Sequence, residues 1–237
     1  SQYLPELFRN LDTPVDHFSF SDVLGYGEGL FFRHITENEL SSSFITSIWT
    51  TILTACANPA NYSWCDYQQP QTPLIAALLS NNGKDLKTVY ANYNLSNYTK
   101  NYADGYLAFF PSVTTTSVSL PTTTGLLVGT TALDHLAARF YKFTFPIAGS
   151  TSDMEVAFAG TPANDWRVSL IKTLNAGGYS TSTVSLASGA GSVSLQSSGA
   201  NYSSAILVVN NVNTANNSQG ATITLRLFPG AYSANTT

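Results

Sequence analysis

The chain has 237 residues, 43% hydrophobic and only 10% charged, with a net charge of −4. That length suits one or two domains with a real core, and because globular chains usually carry about 25% charge, Ser, Thr, Asn and Tyr must supply much of the surface. A weakly acidic chain lacks the basic footprint of a nucleic-acid binder, and no apolar run approaches the ~18–20 residues of a membrane span, so neither nucleic acid nor membrane insertion is expected.

Residues 3–11 form a short amphipathic turn or helix that Thr13-Pro14 breaks. Ser19 or Ser21 then caps a helix carrying Leu24, Leu30, Phe31 and Ile35, with Asp22 near its positive end. Gly25, Gly27 and Gly29 each cost a helix up to about 1 kcal/mol against Ala, so they are expected where another element packs closely. Asn38 interrupts the pattern. Ser41 to Ser43 restart a helix in which Phe44–Ile48 and Ile45–Trp49 pair at i,i+4. Cys56 and Cys65 follow; Pro59 and two asparagines between them allow the chain to turn back, which predicts a disulfide-closed loop stabilising the fold by roughly 2.5–3 kcal/mol.

Thr72-Pro73 starts another helix, with a stripe of Leu74, Ala77 and Leu78, and Asn81-Asn82-Gly83 stops it. A further helix carries Leu86, Val89, Tyr90 and Tyr93, and 106–110 reads as an exit strand. From residue 112 the period changes. Residues 112–124 are Ser/Thr-rich, a linker or first edge strand. Alternation then places Tyr141, Phe143 and Phe145 on one side; Met154, Val156 and Phe158 follow suit, as do Trp166, Val168 and Leu170. Val184 and Leu186, Val193 and Leu195, Ile206 and Val208, and Ile223, Leu225 and Leu227 continue the pattern, separated by Gly, Asn and Ser clusters. The predicted fold class is α+β: a small helical bundle over 1–111, then an antiparallel β-sandwich over 112–237.

Candidate chemistry is sparse. His17, His34 and Glu28 share no metal-ligand spacing, His135 lies far along the chain, and there is no HExxH or HxH motif. His34 reads as a polar-face or cap residue, and Glu28 with Glu37 as a solvated face. There is no Gly-x-Ser-x-Gly elbow, and Gly25-x-Gly27-x-Gly29 has neither a preceding strand nor a following Lys to cradle phosphate. No catalytic residue, metal or cofactor is implied. Six Asn-x-Ser/Thr sequons mark candidate glycosylation sites at Asn61, Asn94, Asn97, Asn201, Asn216 and Asn235. Trp166 and Tyr202 are candidates for stacking on a sugar.

Several runs together resemble secreted gluzincin-type peptidase-like proteins. They are Tyr26-Gly27, Leu30-Phe31-Phe32, Ile35-Thr36-Glu37 and Ile45 to Trp49, then Leu86, Val89 and Tyr90 leading to Tyr102, and the strands around Tyr141, Trp166 and Val209. In those families such a run lies downstream of the zinc-binding HExxH helix, and a helical lobe precedes a β-sandwich. The HExxH helix and its glutamate ligand are absent here, so the resemblance transfers a scaffold and no catalytic role. The expectation is a non-catalytic extracellular protein with a structural role in a surface or filament assembly. Its partners would be other copies, other extracellular proteins or glycans, with 114–120 or the N-terminal arm adding to a neighbour's sheet. Ser1 reads as a processed start. One alternative is the C-terminal part of a secreted zinc peptidase whose HExxH segment lies upstream or was removed; another is a carbohydrate-binding or adhesion module.

Overall fold

A computed structural model of the chain describes residues 3–16, 28–55, 57, 72–103, 112–118, 126–145, 153–195 and 201–228. The chain divides into two compact units, Ser1–Thr114 and Thr115–Thr237. Cys56, Cys65, Asn61, Asn235, His17 and the exit strand expected at 106–110 lie outside the described residues, as do Gly25, Gly27 and the Ser19 and Ser21 caps.

The first unit holds α1 (Tyr3–Arg9), α2 (Glu28–His34), α3 (Ser43–Ala55), α4 (Thr72–Asn81) and α5 (Leu86–Thr99). α4 begins at the expected Thr72-Pro73 and stops where Gly83 takes φ 69°, freeing Lys84 N to donate to Leu79 O at 2.9 Å. Its buried stripe is Leu74, Ile75, Leu78 and Leu79, whereas Ala77 is exposed. α5 is N-capped by Asp85, whose carboxylate accepts from Thr88 N at 3.1 Å. It ends at Lys100, in the left-handed region at φ 59°, with Nζ 3.3 Å above the Phe8 ring.

One expectation about the opening helices changes, and the facing of α3 is settled. A Cβ on Gly29 would meet nothing within 4 Å, so this glycine serves no close packing. In α3, Phe44 and Ile48 are buried, but Trp49 is 62% exposed and Leu53 74%. Trp49 therefore belongs to the outer face of α3 and not to the core.

The second unit holds β1 (Thr116–Val118), β2 (Leu126–Leu133), β3 (Ala137–Thr144), β4 (Asp153–Thr161), β5 (Trp166–Leu174), β6 (Tyr179–Val184), β7 (Ala190–Leu195), β8 (Tyr202–Asn211) and β9 (Gln219–Phe228). They form a five-stranded sheet in the order β1-β3-β8-β5-β6 and a four-stranded sheet in the order β2-β9-β4-β7. The described pairings are antiparallel except β1 with β3, which is parallel, so the wholly antiparallel expectation is corrected there.

One apolar cluster draws on both sheets. Phe143, Val168 and Leu207 come from the first; Met154, Ile223 and Leu225 come from the second. Each such side chain, fully buried, stabilises the fold by about 1.5–3 kcal/mol. On the other face of the five-stranded sheet Phe140, Ile171, Ile206 and Val208 are buried too, whereas Thr144, Thr181 and Thr183 are exposed. This reverses the expected facing of β8: Ala205, Leu207 and Val209 belong to the cluster, and Ile206 and Val208 point the other way.

Candidate functional site

The densest group of ionisable side chains described in the helical unit sits where α2 ends. There the helix widens into a π turn, Ile35–Glu39, closed by Leu40 N donating to Ile35 O at 2.8 Å. Ordinary helical spacing brings Asn38 to His34, with Nδ2 3.4 Å from Nδ1. The wider turn also brings Glu39, five residues on, to within 3.6 Å of His34 Nε2. Glu39 is fixed from the far side, accepting from Asn92 Nδ2 at 2.7 Å and Lys84 Nζ at 3.0 Å. On the outer side Arg33 Nε donates to Glu37 at 2.7 Å, and Glu37 also accepts from Ala103 N at 2.9 Å. Glu37 is thus a bonded surface group and not half of an acid–base pair.

His34 itself is 1% exposed, its ring edge-on to Tyr93 at 5.9 Å. Burial lowers its pKa to about 4 and overrides the opposing pull of the Glu39 carboxylate. Burial pushes Glu39 upward, but the hydrogen bonds from Asn92 and Lys84 and the Lys84 charge outweigh that and hold it below its usual value. At neutral pH the centre is therefore a neutral imidazole beside a carboxylate paired to lysine. An imidazole so reluctant to take a proton is a poor general base near neutrality. Among the described residues, no three His, Cys, Asp or Glu are grouped to hold a metal. The pocket bordered by Leu7, Leu11, Pro14, Tyr90 and Tyr93 has room for about one water.

The sugar-stacking candidates separate. Trp166 is 1% exposed and packs on Phe158 at 5.5 Å. It lies so tightly over β4 that a Cβ on Gly160 would come within 2.6 Å of its ring. Its Nε1 is buried without a hydrogen-bond partner. Trp166 is a core residue, and the expectation that it stacks on a sugar is corrected. Tyr202 is partly buried, with Lys172 Nζ 5.1 Å from its ring centre.

The sequons also divide. Asn94 and Asn97 are 0% exposed within α5, where Asn94 Nδ2 donates to Tyr90 O at 3.2 Å and Asn97 Oδ1 accepts from Tyr102 OH at 2.6 Å. A glycan on either amide would have to replace core contacts, so these two candidates are corrected to internal hydrogen-bonding groups. Asn201 and Asn216 are exposed. The turn at Asn216 is built by Asn213, whose Oδ1 accepts from Ala215 N at 2.7 Å and Asn216 N at 2.6 Å. Beside it, Asn211 Nδ2 donates to Leu133 O at 2.9 Å and Asn213 Nδ2 to Asp165 at 2.7 Å.

The feature that sequence reading missed is a surface. Residues 173–225 contain no Asp, Glu, Lys, Arg, His or Pro. This run supplies both β6 and β7, which end the two sheets among the described residues. Thr181, Ser182 and Thr183 on β6 and Ala190, Ser192 and Ser194 on β7 are exposed. The signal stood in the sequence as a long gap between Lys172 and Arg226. That the gap falls on sheet edges is a property of the fold.

No family model matches the chain, and no curated protein matches it in sequence. Solved structures similar to part of it include the pre-peptidase C-terminal domain of a collagenase from Bacillus anthracis, at 10% identity and TM-score 0.32, over 48% of this chain and 95% of that one. Tripeptidyl peptidase 2 is similar at 11% identity and TM-score 0.35, over 53% of this chain and 12% of that one. The C-terminal family 22 carbohydrate binding module of Clostridium thermocellum Xyn10B is similar at 12% identity and TM-score 0.23, over 43% of this chain and 67% of that one. At such identities and scores these likenesses assign the chain neither a family nor an activity.

Proposed function

We propose that the chain is a non-catalytic extracellular protein with a structural role, a subunit that assembles with further copies of itself at a surface or in a filament. In this reading the β unit is a sandwich, the helical unit is a small bundle, and the two keep the scaffold of gluzincin-type peptidase-like proteins without their zinc centre. The observation that carries it is the uncharged, proline-free run through β6 and β7. Sheets that must stay apart blunt their edges with Lys, Pro, bulges or inward charges, and neither of these strands carries Lys, Pro or any other charge. Low charge over the whole chain acts in the same direction, because it leaves little repulsion between copies.

Sedimentation velocity and light scattering on the purified chain, from low to high concentration, test this reading. Assembly gives a weight-average mass that rises with concentration. A strictly monomeric chain at the highest concentration sinks the proposal.

A further inference from the structure

β6 pairs with β5 in an unbroken register, from Val168↔Val184 to Thr173↔Tyr179. In an antiparallel ladder a strand sends its N–H and C=O groups alternately to one side and the other. An end strand therefore presents about half of them outward, ready for another strand. The other sheet ends are less open. β1 has three residues and runs parallel to β3. β2 shifts register between Leu127 and Gly129 and leads into Asp134 and His135. β7 already bonds its own chain at its start, where Ala190 N donates to Ala187 O at 3.0 Å and Ala190 O accepts from Ala187 N at 2.8 Å. β6 is regular, uncharged and exposed at Thr181, Ser182 and Thr183.

The geometry points to a second copy of β6 as the occupant of this edge, paired antiparallel with Thr181 on the two-fold axis; this rests on the assembly reading above and names its contact. Directly opposed residues in a sheet lie on the same face, and side chains alternate faces along a strand. Two copies of one strand therefore keep their sheet faces aligned only if opposed residues differ by an even number. Centring on Thr181 satisfies this. Thr181 then meets Thr181, Tyr179 meets Thr183, and Ser180 meets Ser182. Self-pairing places a charge on or next to the two-fold axis opposite or diagonal to its own copy, which is destabilising. β6 has no charge to suffer that repulsion, and hydroxyl pairs and an aromatic with a β-branched residue are favourable cross-strand neighbours. The contact is isologous and closes at two copies, joining two five-stranded sheets edge to edge. A filament would need a second surface.

The test uses the full chain with Thr181→Lys and Thr181→Cys, and with Thr214→Lys and Thr214→Cys at an exposed position outside the strands as controls. Sedimentation velocity should show T181K needing roughly tenfold or more higher concentration for the same association as wild type, with T214K unchanged. On mild oxidation T181C should give a reducible covalent dimer, because opposed strand residues lie within disulfide reach; T214C should give far less. If T181K associates as wild type does, or T181C dimerises no more than T214C, the β6 pairing is overturned while assembly itself stands. If wild type is monomeric throughout, both fall.

Discussion

Acid should weaken the helical unit through His34 before most carboxylates take part. The unfolded imidazole takes its proton near 6.5, whereas the folded one does so only at about 4. The unfolded state therefore binds more protons in that window, and the stability present above 6.5 drains away as the pH falls to about 4. Each pH unit of separation corresponds to about 1.4 kcal/mol, so the loss amounts to about 3 kcal/mol. The groups facing the ring are Asn38 and Glu39 on its own segment and Tyr93 on α5, with Lys84 and Asn92 holding Glu39 and the Glu37 charge acting from the outer side. Glu39 has a folded pKa below its ordinary 4.5. Its own contribution is present above 4.5 and lost below, so it adds little until the His34 loss is nearly complete. Urea unfolding followed by helical circular dichroism, from about pH 7.5 to about pH 4.5, reads the slope. His34→Gln removes the titration and loses ring packing on Tyr93, so it should start about 1–2 kcal/mol less stable and stay nearly flat across the window. Parallel slopes for wild type and H34Q would refute the assignment.

Other substitutions follow from the same packing. Gly160→Ala should cost about 1–3 kcal/mol because the new methyl strikes the Trp166 ring, and adding Trp166→Phe should relieve part of that cost, a non-additivity visible in urea midpoints. Asn211→Ala leaves the Leu133 carbonyl without its donor and should cost about 1–3 kcal/mol in the same assay. In a host that glycosylates, peptide mapping by mass spectrometry should find sugar at Asn201 or Asn216 and none at Asn94 or Asn97; a glycan at full occupancy on Asn94 in folded protein would contradict the described α5 packing.

The sequence showed most where one face of an element is apolar and the other is not. Met154, Val156 and Phe158 alternate cleanly, and all three enter the shared cluster. β8 escaped because both of its faces are buried: an apolar run from Ala205 to Val209 has no polar beat from which to read its facing. The π turn escaped for a related reason. Reading helices by i,i+4 finds Asn38 under His34 and passes over Glu39, which only a wider turn brings within reach. The sequons at Asn94 and Asn97 carry no sign of burial, yet α5 buries Val89, Tyr90, Tyr93, Asn94 and Asn97 around much of its circumference.

The uncharged edge strands have a consequence for the setting in which this protein can work. Contacts made through Ser, Thr, Tyr and backbone groups leave mobile ions nothing to screen. Binding along β6 should therefore hardly change between dilute buffer and brine, unlike association driven by opposite charges. Excluded salts such as sulfate should tighten it. An edge of this kind responds to the kind of salt around it and hardly to the ionic strength.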